Sequence, residues 1–218
     1  MPGWEVIDRA PTPEGGELVL YGRDDEHMIR VDGLELMSTR AHHSEEEFAR
    51  LALEGVRPEA RILIGGLGLG YTVRAARRAL GAEAEIVVAE LVGALVEWHR
   101  GPLSRLGALD DPRVRPVVAD VADLIAGAFG QYEAILLDVD NGPVAITRAA
   151  NAAMYGAGGL AAAHRALAPE GVLAVWSAGP DQAFLGRLVA AGFDARAHRV
   201  SARGWSDDPE HTLYVARR

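Results

Sequence analysis

The chain contains no cysteine among its 218 residues. Disulfide bonds, thiolate metal sites and cysteine nucleophiles are therefore excluded. Lysine is absent as well, so all 22 basic residues are arginine. Without lysine the chain cannot form a Schiff base with pyridoxal phosphate, nor supply the lysine of a Walker A phosphate loop. These two absences remove several large classes of enzyme before any motif is considered.

Long apolar runs are missing too, since no stretch of the sequence is long enough to cross a bilayer. The first ten residues include Glu5 and Asp8 and do not form a signal peptide. The formal net charge of −9 argues against a general nucleic-acid binder and is compatible with a cationic substrate. We therefore expect a cytoplasmic protein that binds a small molecule, and neither a membrane nor nucleic acid.

The sequence divides into two regions. Residues 1–43 contain short alternating segments separated by turn residues, and Asp32-Gly33 is typical of a hairpin turn. This pattern predicts a small antiparallel β subdomain. Residues 44–218 form the second predicted domain, which opens on a helix with Ser44 as its cap and Glu47 completing a capping box.

From Arg61 onward, near-continuous apolar strands alternate with amphipathic helices. This alternation is typical of a parallel sheet that is covered on both faces. The last two predicted strands have only a short connection, so we expect them to pair antiparallel at one edge of the sheet. The predicted fold class is α/β, with a seven-stranded Rossmann-like sheet that ends in an antiparallel hairpin. This layout resembles the class I methyltransferase fold, which binds S-adenosylmethionine (SAM).

A glycine-rich turn follows the first strand of the second domain. Gly66, Gly68 and Gly70 form the pattern G-x-G-x-G, and Gly65 precedes them. The dinucleotide fingerprint G-x-G-x-x-G would need a glycine at the position of Tyr71. Glycines let the backbone turn sharply and approach a ligand closely. The spacing therefore favours the cofactor loop of SAM-dependent transferases over that of NAD-linked dehydrogenases.

Acidic residues come at the ends of three successive predicted strands, where open α/β sheets bind their ligands. Glu90 lies roughly 20 residues after the glycine loop, the usual place for an acid that accepts hydrogen bonds from ribose hydroxyls. Asp120 can accept from an adenine amino group while the amide of Val121 reaches a ring nitrogen, although Asp120 also fits a helix N-cap. Asp138 and Asp140 can take a proton from an amine or hold a cation, although Asp140 alone fits a turn better.

These segments occur in the order found in the spermidine synthase family of aminopropyltransferases and its SAM-binding relatives. The chain resembles that family over residues 33–177. The resemblance is carried by the glycine loop at 62–72, by Ala89-Glu90-Leu91, by Val118-Ala119-Asp120-Val121 and by the strand 132–138.

The resemblance implies SAM or decarboxylated SAM as the cofactor. It assigns cofactor binding to the glycine loop together with Glu90, Asp120 and Val121, and catalysis to Asp138. It also implies that the small β subdomain mediates a homodimer.

Departures from the family pattern bear on the reaction. Family synthases carry an aspartate in the glycine loop that helps hold the aminopropyl ammonium group, and Gly68 occupies that place here. A tyrosine-glutamine or tyrosine-histidine pair on the substrate helix is replaced by Glu45 and Glu46, and Glu46 and Asp140 are the predicted substrate contacts. Because the loop acid is missing, the main expectation is methyl transfer to an unidentified acceptor, for which an amine is one candidate.

Several alternatives remain open at this point. The chain fits a true polyamine aminopropyltransferase or a non-catalytic nucleoside-binding module. Ser177 with Asp207 and His211 follows the order of a hydrolase triad, although the first glycine of its elbow is missing. No metal site is expected, because the adjacent pair His42-His43 fits a solvated loop better than two ligands of one ion. His99 is expected to serve packing rather than catalysis.

Overall fold

A computed structural model of the chain describes residues 3–13, 15–139, 153–205 and 207–218. The predicted substrate contact Asp140 lies outside these residues. Within them, no helix is both long and apolar enough to cross a membrane.

The N-terminal region forms a four-stranded sheet in which each strand pairs antiparallel with the next. This confirms the small antiparallel sheet predicted from the alternating segments. At the predicted hairpin turn, Asp32 and Gly33 both have positive φ angles, of 47° and 81°. Two such residues make a turn whose twist matches that of the flanking strands. The strands are β1 (Glu5–Pro11), β2 (Glu17–Arg23), β3 (Glu26–Val31) and β4 (Leu34–Ser38).

The second sheet has seven strands in the order β10-β11-β9-β8-β5-β6-β7. The pairs among β5 to β9 are parallel, whereas β11 lies antiparallel to both β9 and β10. The predicted Rossmann-like sheet with a C-terminal hairpin is therefore confirmed. Its strands are β5 (Arg61–Gly65), β6 (Glu85–Glu90), β7 (Val114–Val118), β8 (Tyr132–Leu137), β9 (Leu167–Ser177), β10 (Asp194–Ser201) and β11 (Glu210–Arg217).

Helices cover both faces of this sheet and bury two apolar clusters against it. The predicted alternation of strands and helices from Arg61 onward is therefore present in the described residues. The described helices are α1 (His43–Ala52), α2 (Tyr71–Ala79), α3 (Gly93–Arg100), α4 (Val121–Ala126), α5 (Ala157–Ala166) and α6 (Gln182–Ala190).

The predicted cap of α1 is wrong. The helix begins at His43, so His42 is the cap residue and its side chain makes no capping hydrogen bond. Ser44 lies inside the first turn, where its hydroxyl donates to the carboxylate of Glu45 at 2.5 Å. Because Ser44 already lies inside the helix, it is not at the N-cap position and the predicted capping box does not form.

A third apolar cluster joins the small sheet to α3. Leu20 and Ile29 of the small sheet pack in it with Leu95 and Trp98 of α3. The indole N–H of Trp98 also donates to a carboxylate oxygen of Asp8 in β1 at 2.7 Å. The small sheet is thereby fixed over the carboxyl ends of the main strands.

Phe48 anchors α1 to the main sheet, because its side chain is fully buried in the cluster beneath that helix. We expect Phe48→Ala to lower the free energy of unfolding by about 3–5 kcal/mol, the usual cost of removing a buried phenylalanine ring. Phe129→Ala is the matched control, because Phe129 is 84% exposed and its loss should change stability by less than about 0.5 kcal/mol. Chemical denaturation measures both changes, and equal losses of unfolding free energy in the two variants would contradict this packing.

Candidate functional site

A cavity of about 810 Å³ lies between the small sheet and the carboxyl ends of the main strands. This volume is within the range of small-molecule sites. The predicted site residues that line it are Gly66, Gly68, Gly70, Glu90, Asp120, Val121 and Asp138.

Two predicted site residues lie elsewhere. Gly65 lies just behind the cavity wall, where a Cβ would be 2.9 Å from the side chain of Val121. Glu46 is not among the described residues that line the cavity, and its carboxylate bonds to Arg78 at 3.0 Å. Its neighbour Glu45 lines the cavity instead.

The glycine loop takes backbone conformations that favour glycine. Gly66, Gly68 and Gly70 have φ angles of +91°, +49° and +80°. A Cβ on Gly66 would lie 2.2 Å from the backbone oxygen of Asp138, so only glycine lets β5 and β8 approach this closely at their ends. Gly70 then begins α2 as its N-cap residue.

Glu90 fixes the loop to the end of β6. One oxygen of its buried carboxylate accepts from the backbone N–H of Leu67 at 2.9 Å, and the other accepts from Val92 N–H at 2.8 Å. Burial raises the pKa of Glu90, while these backbone donors act in the opposite direction. The carboxylate therefore supports the cavity wall, and ribose binding by Glu90 stays a prediction.

Asp120 is the N-cap of α4, because its carboxylate accepts from the backbone N–H of Ala122 at 2.9 Å. Asp120 therefore has the helix-capping role that the sequence allows for it. Asp120 also lines the cavity, so its second oxygen and the start of α4 remain available to a ligand. Adenine binding by Asp120 and Val121 stays a prediction.

Asp138 and Glu45 bring two carboxyl groups to the same cavity. Thr72 in the first turn of α2 donates its hydroxyl to Asp138 at 2.6 Å. Burial raises the pKa of Asp138 to about 6. Burial, together with the charge of Asp138, raises the pKa of Glu45 to about 7.

Four residues have supporting roles that differ from, or are absent from, the sequence predictions. They are Ser44, Thr72, Trp176 and, for the loop, His99, whose Nε2 lies 2.9 Å from the carbonyl oxygen of Gly68. A carbonyl only accepts, so Nε2 carries the hydrogen and His99 holds the loop. The contacts of Thr72, Trp176 and His99 join residues that are distant in the sequence, so only the tertiary structure reveals them.

The hydrolase alternative finds no support in the geometry. The Ser177 side chain is fully buried, and its hydroxyl donates to the carbonyl oxygen of Gly179 at 2.8 Å. His211 stacks against Trp176 with ring centroids 4.5 Å apart. A nucleophile must be accessible and bonded to its base, and Ser177 is neither. Within the described residues, no group of three or more potential metal-binding side chains occurs.

The sheet order, the glycine loop after β5 and the acids at the ends of β6, β7 and β8 define the class I fold of SAM-dependent transferases. Solved structures agree with this fold. Spermidine synthase from Thermotoga maritima matches 97% of the chain with a TM-score of 0.79 at 18% identity, over 72% of its own length. A Burkholderia thailandensis 1,6-didemethyltoxoflavin-N1-methyltransferase, with S-adenosylhomocysteine bound, matches 81% of the chain at a TM-score of 0.55 and 18% identity, over 79% of its length.

Curated sequences show a closer relationship. Polyamine aminopropyltransferase 1 of Streptomyces coelicolor is 30% identical over 163 residues, which are 73% of this chain. The polyamine aminopropyltransferase of Mycobacterium tuberculosis is 31% identical over 170 residues, which are 75% of this chain. The matches span only 29% and 31% of those relatives' lengths. No protein-family model matches the chain. The chain belongs to the spermidine synthase-like proteins.

The close approach at Gly66 gives a test of the loop. We expect Gly66→Ala to lower the free energy of unfolding by about 1–2 kcal/mol for positive φ and by a further 1–3 kcal/mol, roughly, for the clash with Asp138. Gly55→Ala is the control, since Gly55 has φ +78° but nothing within 4 Å of its Cβ position. Chemical denaturation should give the larger loss at Gly66; equal losses would show that no steric contact exists there.

The raised carboxyl pKa values make stability depend on pH. The folded chain keeps protons on Glu45 and Asp138 above their ordinary pKa values of 4.5 and 3.8. Their contribution to stability is therefore fully present below those values and is lost as the pH rises through about 6 and 7.

Glu45→Gln removes one titrating group and the repulsion between the two carboxylates. Between pH 5 and pH 8 the wild-type free energy of unfolding should fall by about 2 kcal/mol more than that of the variant. Glu47→Gln controls for the loss of one negative charge from the same helix. Parallel pH profiles for the wild type and Glu45→Gln would contradict the raised pKa of Glu45.

Proposed function

We propose that this chain is a transferase domain that moves an aminopropyl group from decarboxylated SAM to an amine. The observation that carries the proposal is the charge of the cavity. Its described lining includes six acids and no arginine, although the chain has 22 basic residues. The six are Asp32, Glu35, Glu45, Glu90, Asp120 and Asp138.

An acidic cavity favours cationic ligands, because it stabilises positive charge and repels negative charge. Decarboxylated SAM carries a sulfonium and an ammonium group, and an amine acceptor adds further positive charge. SAM itself also carries a carboxylate, and the described lining contains no arginine to bind it. His211 also lines the cavity, but burial lowers its pKa and so disfavours its cationic form. The charge therefore supports decarboxylated SAM over SAM, and the names of the curated relatives point the same way.

In the proposed complex, the glycine loop, Glu90, Asp120 and Val121 bind the nucleoside. The acceptor nitrogen attacks the aminopropyl carbon that is bonded to sulfur. The new C–N bond forms as the C–S bond breaks. The electron pair of the C–S bond stays on sulfur, which leaves as part of methylthioadenosine. Ionised Asp138 accepts the proton that the amine loses. Because the sulfonium is already activated, in-line placement supplies most of the catalysis.

Methyl transfer from SAM is the second candidate, and the glycine at position 68 favours it. A Cβ on Gly68 would lie 3.0 Å from the sulfur of Met37, so an aspartate there requires Met37 to move. We give the negative charge of the cavity more weight than the glycine at position 68, because that charge acts on every charged group of the ligand.

The released nucleoside distinguishes the candidates. We expect the chain, given decarboxylated SAM and a panel of diamines, to release methylthioadenosine, which chromatography separates from S-adenosylhomocysteine. Asp138→Asn should lower turnover by about 100-fold or more while calorimetry still shows methylthioadenosine binding, because it removes the general base alone.

Release of S-adenosylhomocysteine from SAM would favour methyl transfer instead. Tight nucleoside binding without turnover of either donor would favour a binding module. Failure to bind SAM, decarboxylated SAM and methylthioadenosine would refute the proposal. The homodimer, the cytoplasmic location and the absence of nucleic-acid binding remain predictions.

A further inference from the structure

Glu45 is held in place by a directional chain of hydrogen bonds. The indole Nε1–H of Trp176 in β9 donates to the hydroxyl oxygen of Ser44 at 3.2 Å. An indole N–H can only donate, so the single hydroxyl hydrogen of Ser44 is free to point to Glu45. It donates to Oε2 of Glu45 at 2.5 Å. The chain thus links the main sheet to the first turn of α1 and fixes one oxygen of the Glu45 carboxylate.

Asp138 has a corresponding arrangement in the same cavity. Thr72 fixes its Oδ2 with a hydroxyl hydrogen bond, just as Ser44 fixes Oε2 of Glu45. Within the described residues, neither carboxylate forms an ion pair with an arginine. By contrast, Glu46 and Glu47 on the same helix pair with Arg78 and Arg50. Two oriented carboxylates without a counter-ion repel each other until a cation enters between them.

The glycine loop supplies no acid from its side, because residues 65–71 contain neither aspartate nor glutamate. Glu45 lines the cavity at the amino end of α1, close enough to Asp138 for the two charges to interact. Building on the proposed function, we propose that Glu45 is a specificity-determining residue that binds an alkylammonium group of the substrates beside Asp138. Ser44 and Trp176 act as its positioning residues.

Both proposed substrates, the donor decarboxylated SAM and the amine acceptor, carry an alkylammonium group. The test therefore measures the effect of Glu45 on each of them separately. Methylthioadenosine contains the nucleoside without the aminopropyl ammonium group, whereas decarboxylated SAM contains both. Calorimetry on the whole chain measures the dissociation constants of these two ligands and of 1,4-diaminobutane added to the methylthioadenosine complex. The variants are Glu45→Gln, which keeps the shape of the side chain, and Glu47→Gln, which removes a charge from the same helix at a residue that pairs with Arg50.

Glu45→Gln should leave methylthioadenosine binding unchanged and weaken an ammonium ligand by about tenfold or more, the usual effect of removing a charge-assisted hydrogen bond. Weaker binding of decarboxylated SAM alone assigns the ammonium group to the donor. Weaker binding of the diamine alone assigns it to the acceptor. Glu47→Gln should change none of the three constants.

Trp176→Phe keeps a ring against His211 but removes the N–H that orients Ser44. It should weaken the same ammonium ligand by a few fold, without changing methylthioadenosine binding. Unchanged binding of both ammonium ligands by Glu45→Gln would overturn the inference, even where the wild type shows aminopropyl transfer. Failure of the wild type to bind methylthioadenosine would instead refute the proposed function, and 1,4-diaminobutane titrated into the free wild type and the free Glu45→Gln variant would then test Glu45.

Discussion

The burial of carboxylates around one cavity is the constraint on which the rest of the site depends. Each buried acid needs donors, and the chain supplies them from the ends of its helices and strands. Backbone amides stabilise Glu90 and Asp120, and hydroxyl groups stabilise Asp138 and Glu45. Each carboxylate is thereby oriented, but none is neutralised by arginine among the residues that the structure describes. This negative charge, held in a fixed geometry, is the property from which we infer the ligand class.

Much of the fold could be predicted from local sequence because its determinants are local. The apolar strands β5, β6 and β8 are buried on both faces, and such strands leave a continuous apolar run in the sequence. Glycine spacing marks the loop because a Cβ on Gly66 or Gly70 would meet another part of the chain. The outcome at Asp120 shows the limit of this reasoning, since one residue both caps α4 and lines the cavity.

The substrate side of the site could not be predicted in the same way. Glu45 and Glu46 are adjacent and chemically similar, so their roles depend on the rotation of α1 about its axis. That rotation follows from the burial of Phe48 and Ala49 and from the helix beginning at His43. The sequence favoured Glu46, but the structure brings Glu45 to the cavity and pairs Glu46 with Arg78. Ser44 with Glu47 fits a capping box in the sequence, but the helix already begins at His43 and the Ser44 hydroxyl bonds to Glu45.

The position of the small sheet also affects how ligands enter and leave the cavity. The sheet forms one wall of the cavity, yet it shares an apolar cluster with α3 and is tied to it by the bond between Trp98 and Asp8. Swinging this sheet aside would expose Trp98 and Leu103, which are buried at present. Exposing two large apolar side chains costs several kcal/mol, roughly, and so would make such an opening rare. Ligands therefore exchange past a wall that stays in place, and the rigid small sheet limits the size of molecule that the cavity admits.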